Sequence, residues 1–366
     1  MPQSEEPLVS MHYASKRGAG RALRLAVLVL VPTGMIVAAA VWWRQRPLAE
    51  VERRLDEGNA ERALEAANAY LAGHPGDGHA LSLQARALVE LGRWDEASQI
   101  FAQIGVQSRE EIQAWATALV HRQRWNEAQP LLARLLELNP NNPLALRYVT
   151  TCRFQLGQAG AALDSAARLA RIRGHEVEGC FLSGVIHRAQ GDTHLAVENW
   201  AHIEALRPSA EGLPIGPAEF FLIYGEDLLL DSTPRAALIK LRKSQELEKS
   251  LAALLLIGKV LSMTGNEAEA AEAWTQALEL DTSNQEARNG LAELALSRSD
   301  AADALRWLTP IAPSPNVSST TAYLMERAHT LLGSEDELLH WQRRTAALRD
   351  SEKRQAALKR KVRRAL

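Results

Sequence analysis

The chain has little cysteine, few aromatic residues and no long basic stretch within its body. Cys152 and Cys180 are the only two cysteines, so no disulfide framework holds the fold together. Aromatic residues make up 5% of the sequence while alanine and leucine are abundant, a balance that favours helix over sheet. Signature catalytic motifs are missing as well. There is no Gly-x4-Gly-Lys-Ser/Thr, His-Glu-x2-His, Gly-x-Ser-x-Gly or Cys-x2-Cys. No catalytic residue, cofactor or metal site is therefore expected. The nearest approach to a ligand set is His175, Glu178 and Cys180, and a single such triple among ten histidines is no basis for a metal centre.

Charge is unevenly placed. Residues 1–46 carry six Lys/Arg against two Glu, and residues 343–366 carry ten Lys/Arg against Asp350 and Glu352. The whole chain is at −2, so the stretch between these ends stands at −14. An acidic body lacks the continuous basic face that phosphate binding needs, and no nucleic-acid partner is expected.

One apolar run stands apart. Leu25 to Trp43 is nineteen residues without a charge, about 28 Å as a helix, close to the thickness of a hydrocarbon core. Trp42 and Trp43 close it, where indole rings favour the headgroup boundary. The expectation is a transmembrane helix at 25–43 that brings the chain to a lipid bilayer, behind a basic leader at 1–24. A cleaved signal peptide is the rival reading, since Ala38-Ala39-Ala40 offers small residues to a peptidase. Lys16, Arg17, Arg21 and Arg24 precede the run and Arg44, Arg46, Arg53 and Arg54 follow it. Arg53 and Arg54 belong to the first folded segment. The orientation expected is a cytoplasmic N-terminus with the rest of the chain outside the cytoplasm, periplasmic in a bacterium.

The remainder is periodic. Leu91-Gly-Arg-Trp-Asp-Glu-Ala97 is echoed by Leu156-Gly-Gln-Ala-Gly-Ala-Ala162, Gln190-Gly-Asp-Thr-His-Leu-Ala196 and Thr264-Gly-Asn-Glu-Ala-Glu-Ala270. The slot five positions after the turn glycine is filled by Ala63, Ala97, Ala128, Ala162, Ala196, Ala237, Ala270, Ala304 and Leu338. The intervals between these are 34, 31, 34, 34, 41, 33, 34 and 34. A large residue follows four positions on as Phe101, Leu132, Trp200, Trp274 or Leu308, and Pro75, Pro140 and Pro208 close second helices. A first-helix small slot reads Ala85, Ala116, Gly184, Gly225, Gly258 and Ala292.

Together these slots resemble the tetratricopeptide repeat. The resemblance covers about residues 47–342. It implies an all-α fold, a right-handed superhelical solenoid of helix–turn–helix hairpins, with repeats 1–5 at 47–208 and repeats 6–9 at 218–342. The ninth repeat is degenerate. An inserted loop at 209–217 separates the two sets and reads as a hinge, a ligand contact or a tolerated insertion. The basic segment 343–366 has Leu358, Val362 and Leu366 at i, i+4 and i+8. It reads either as a capping helix or as an amphipathic helix for an anionic membrane or acidic partner.

In this family first helices line a concave groove for a protein or peptide partner. Carried onto this register, the groove positions are Arg86, Thr117, Arg147, Thr151, Phe181, Arg188, Glu226, Lys259, Asn289 and Glu293. The arginines suit partner carboxylates. The implied function is a membrane-anchored, non-enzymatic scaffold that helps assemble a membrane or envelope-associated complex. The alternative is a regulatory subunit that gates a catalytic partner.

Overall fold

A computed structural model of the chain describes residues 47–365, with side chains through residue 359. The leader at 1–24, the transmembrane helix expected at 25–43 and the C-terminal Leu366 lie outside the described residues.

Nine positions set the fold. Gly58, Gly92, Gln123, Gly157, Gly191, Ser232, Gly265, Ser299 and Gly333 all have φ between 58° and 86°. They repeat at the same intervals as the alanine slot. Each ends a first helix in the left-handed region, where glycine carries no Cβ penalty. Three of the nine hold Gln123, Ser232 or Ser299 in that conformation.

Between these turns, all regular structure among the described residues is α-helical, and the chain divides into two compact units at Gln158/Ala159. The first unit contains α1 (47–56), α2 (Ala60–Gly73), α3 (Gly78–Glu90), α4 (Trp94–Ile104), α5 (Arg109–His121), α6 (Trp125–Leu138) and α7 (Pro143–Gln155). The second opens with α8 (Ala159–Ala170), α9 (Glu176–Gln190), α10 (Thr193–Leu206) and α11 (Pro217–Leu230). It continues with α12 (Pro234–Leu247), α13 (Leu251–Met263), α14 (Glu267–Leu280) and α15 (Gln285–Ser297). It closes with α16 (Ala301–Leu308), α17 (Ser319–Leu332) and α18 (Glu335–Ala365). Each unit is a solenoid of stacked hairpins.

Most first helices start with a side-chain cap. Asp77, Ser108, Asn142, Ser250, Asn284 and Ser318 each accept a backbone N–H of the following turn, and Ser108 with Glu111 forms a reciprocal capping box. The second helices begin straight from the left-handed turn, and α4, α6, α10, α12 and α14 have no such cap.

The packing follows the slots. All eight alanines of the small slot are fully buried, whereas Leu338, in the ninth hairpin, is only half-buried. Phe101, Leu132, Trp200, Trp274 and Leu308 are buried beside them. Trp274 needs glycine on two sides. A Cβ at Gly258 would lie 2.4 Å from its Nε1, and one at Gly290 would lie 2.5 Å from its Cε2. Trp200 meets Gly184 in the same way, at 2.6 Å. Each such aromatic contributes about 1.5–3 kcal/mol by burial, and a methyl group on the facing helix would take its space.

Two of the expected divisions have packing that runs across them. The interruption at 209–217 lies inside the second unit and is packed rather than open: Ala210 is fully buried, and Leu213 and Ile215 pack against the core. Arg207 donates to the Glu211 carbonyl at 2.9 Å, and Lys243 donates to the Pro208 carbonyl at 2.8 Å. Three apolar side chains give this loop surface to bury, and that holds it against α10–α12. The boundary at 342/343 falls within α18, which has no glycine or proline to end it. Trp341 and Thr345 are buried, Leu348 packs on the core, and Ser319 donates to Glu352 at 2.9 Å. The last hairpin thus extends to about residue 352. Beyond it Leu358 is exposed, and the side chains of Val362 and Leu366 lie outside the described ones. Among the described residues no helix is long and apolar enough to cross a membrane.

Candidate protein-binding face

Within each unit, most successive first helices touch one another directly: α3 with α5 and α5 with α7, then α11 with α13, α13 with α15 and α15 with α17. Second helices make no comparable contact with each other. The layer whose members stand closer is the inner one, so first helices line the inner face of each unit.

Of the first-unit candidates, Arg86, Thr117, Arg147 and Thr151 are all half-buried. Thr117 and Thr151 turn their hydroxyls back to the carbonyls of Gln113 and Arg147, at 2.8 and 3.3 Å. Beside Arg86, burial raises the Glu90 carboxyl above its ordinary value, and the guanidinium opposes that shift. Ser82 donates to Glu111 at 2.7 Å and so links α3 to α5.

The second-unit candidates separate into three kinds. Phe181 is a core residue, 5.9 Å from Trp200 between ring centroids, and Asn289 is buried, accepting from Thr321 at 3.0 Å. These two hold neighbouring helices together and present little to a partner. Arg188 and Glu226 pair with each other at 2.5 Å across α9 and α11. Lys259 and Glu293 are exposed.

The Arg188 pair leads to a residue that the sequence reading missed. Asp227, next to Glu226, is fully buried; it accepts the indole N–H of Trp200 at 2.8 Å and lies 3.5 Å from the Arg188 guanidinium. Burial pushes its carboxyl above the usual range, Trp200 and Arg188 pull it back, and Glu226 adds to the rise. Arg188 is thus engaged by two carboxylates and is not a free receptor for a partner's acid. No signal in the repeat pattern marks Asp227, because its slot is filled by apolar residues such as Leu294 elsewhere. Arg327 was missed too, although it stands 34 positions after Glu293 and that spacing could have found it.

Among the described residues no group of three His, Cys, Asp or Glu side chains is placed to hold a metal. His175 Nδ1 lies 3.0 Å from a Glu178 carboxylate oxygen, and Cys152 and Cys180 are buried free thiols.

Tetratricopeptide-repeat family profiles match residues 54–121, 114–176 and 255–315, together half of the chain. The chain is a tetratricopeptide-repeat protein. Among solved structures it is similar to the C-terminal part of a TPR repeat-containing protein from Cytophaga hutchinsonii, with a TM-score of 0.55 at 14% identity over 66% of this chain and 98% of that one. A tetratricopeptide repeat protein from Parabacteroides merdae gives a TM-score of 0.45 at 14% identity, over 69% of this chain and 98% of that one. YrrB, described as a TPR protein with an unusual peptide-binding site, gives 0.40 at 20% identity, over 44% of this chain and 84% of that one. No curated protein matches the sequence. These repeats supply the hairpins; what they bind is a matter of the inner-face residues.

Proposed function

We propose that this chain is a non-catalytic scaffold that recruits a protein partner through the inner faces of its repeats and is tethered to a membrane by residues 25–43. The observation that carries the reading is the exposed, charged inner face of the second unit, where Lys259, Glu293 and Arg327 stand on successive first helices above a core already filled. Ridges of first helices with solvent-facing charge suit recognition of a protein segment rather than turnover of a small molecule. The charge-free run from Leu25 to Trp43 supports the tether, and the four basic residues before it support an N-terminus in the cytoplasm with the repeats outside. By this reading the protein gathers components of a membrane or envelope complex.

The test is a crosslinked pull-down from native membranes with the full chain, comparing wild type with Lys259→Glu/Arg327→Glu. A stoichiometric protein lost with the double variant supports the inner face as the binding surface, while capture of no protein by wild type ends the scaffold reading. For the tether, deletion of residues 25–43 should release the protein into the soluble fraction. Retention at the membrane without them would remove that part of the proposal.

A further inference from the structure

The charges on the inner face of the second unit alternate. Glu226, Lys259, Glu293 and Arg327 stand on α11, α13, α15 and α17 at intervals of 33, 34 and 34 residues. The first three each follow the buried small residue of their helix, Gly225, Gly258 or Ala292. They therefore occupy one register position on four adjacent ridges. The signs along the face run minus, plus, minus, plus.

The two carboxylates of this row are each influenced by a neighbouring arginine. Glu226 accepts from Arg188 of α9 at 2.5 Å. Glu293 reaches solvent but is crowded by protein, which raises its carboxyl, while the Arg327 guanidinium on the next ridge opposes the rise. Lys259, between Glu226 and Glu293, is exposed, and no carboxylate among the described residues pairs with it.

We propose that this face recognises an extended protein segment with an acidic residue at its centre and a basic residue about three positions to either side. The inference rests on the scaffold reading and names the chemistry of its partner. The central acid meets Lys259, and the basic residues meet Glu226 and Glu293. Neighbouring packed helices stand about 8–10 Å apart, and a segment extended as polyproline II advances about 3.1 Å per residue with about three residues per turn, so side chains three residues apart face the same way and fall on successive ridges. A carboxylate has about four acceptor sites, which leaves Glu226 room for a second donor beside Arg188 and Glu293 room for a donor of its own. The same two carboxylates repel a polyacidic segment, so selection works by repulsion as well as attraction. The acidic body of the chain favours the same choice.

The test uses the full chain in detergent and three labelled peptides of equal length, read by fluorescence anisotropy. One peptide carries Lys-x2-Glu-x2-Lys, one the reversed Glu-x2-Lys-x2-Glu, and one Glu-x2-Glu-x2-Glu. The expected result is that the first binds about tenfold more tightly than either other peptide, and that Lys259→Glu removes the preference. Because Lys259 is exposed, that variant should melt with wild type, which separates recognition from folding. Equal binding of the three peptides, a preference for the all-acidic one, an unchanged order in Lys259→Glu, or no binding at all overturns the inference. The membrane pull-down distinguishes this from failure of the scaffold reading. A partner captured equally by wild type and the single Lys259→Glu variant leaves the scaffold standing and removes the charge rule. No captured partner removes both.

Discussion

Trp200 donates its indole N–H to the buried carboxylate of Asp227 at 2.8 Å, from one hairpin to the next. This bond joins α10 to α11 within a core where most contacts are apolar, and it gives the buried acid one of the few partners it has. Arg188 supplies the other, at 3.5 Å, so three residues from three successive helices share one polar site.

Asp227→Ala should destabilise the protein by about 2–3 kcal/mol, because it strands the Trp200 donor and leaves Arg188 with Glu226 alone. Chemical denaturation of the full chain checks this. Trp200→Phe removes the donor and leaves a cavity beside an unpaired acceptor, and is expected to cost about 2–4 kcal/mol.

The same residue sets a pH dependence. The folded state holds the Asp227 proton above the ordinary value of 3.8, so the native chain binds more protons than the unfolded one in that window. Stability from this group is therefore greatest below pH 3.8 and falls as pH rises through the folded value. Asp227→Asn has no such proton to lose. The difference in unfolding free energy between wild type and Asp227→Asn should move against wild type as pH is raised, and a flat difference would contradict the assignment.

Gly258→Ala and Gly290→Ala should each destabilise by about 1–3 kcal/mol, since either methyl group enters the space of Trp274. Trp274→Leu in the Gly258→Ala background should recover part of that loss. Additive losses in the double variant would show that the indole is not the obstacle.

The left-handed turns offer the opposite change. Gln123→Gly, Ser232→Gly and Ser299→Gly should each stabilise by about 0.5–1 kcal/mol, because glycine adopts their positive φ without strain. Thermal melts of the single and triple variants test this, and a lower melting temperature in all three would count against the turn geometry.

The small slot distinguishes inner hairpins from the last. Ala270→Arg should cost about 2–4 kcal/mol through overpacking and a buried charge, whereas Leu338→Arg, at a half-buried position, should be nearly neutral. Equal effects at the two sites would place the slot wrongly. The thiols provide a parallel check. Burial pushes the Cys152 thiol up to about 11, so neither it nor Cys180 should react with a thiol reagent until the chain unfolds.

Much of this architecture was legible because its determinants are local. A left-handed turn, a small residue five positions on and a large one four beyond that recur in the sequence whether or not the chain is folded, and their spacing dictates a hairpin at each recurrence. The candidate face was legible only as positions. Phe181 and Asn289 occupy groove slots by register, but the structure gives Phe181 to the core and Asn289 to Thr321. By register Arg188 suits a partner's carboxylate, but Glu226 and Asp227 occupy it instead.

The sequence by itself thus determined the helical hairpins, their register and the buried identity of the slots, since each depends on neighbours a few residues apart. Only the tertiary structure decided which charges neutralise one another, where the chain divides into compact units, and that the loop after Pro208 is packed. Those outcomes depend on groups 27 to 38 residues apart in sequence, such as Trp200 with Asp227 or Arg188 with Glu226, which meet only when one hairpin stacks on the next.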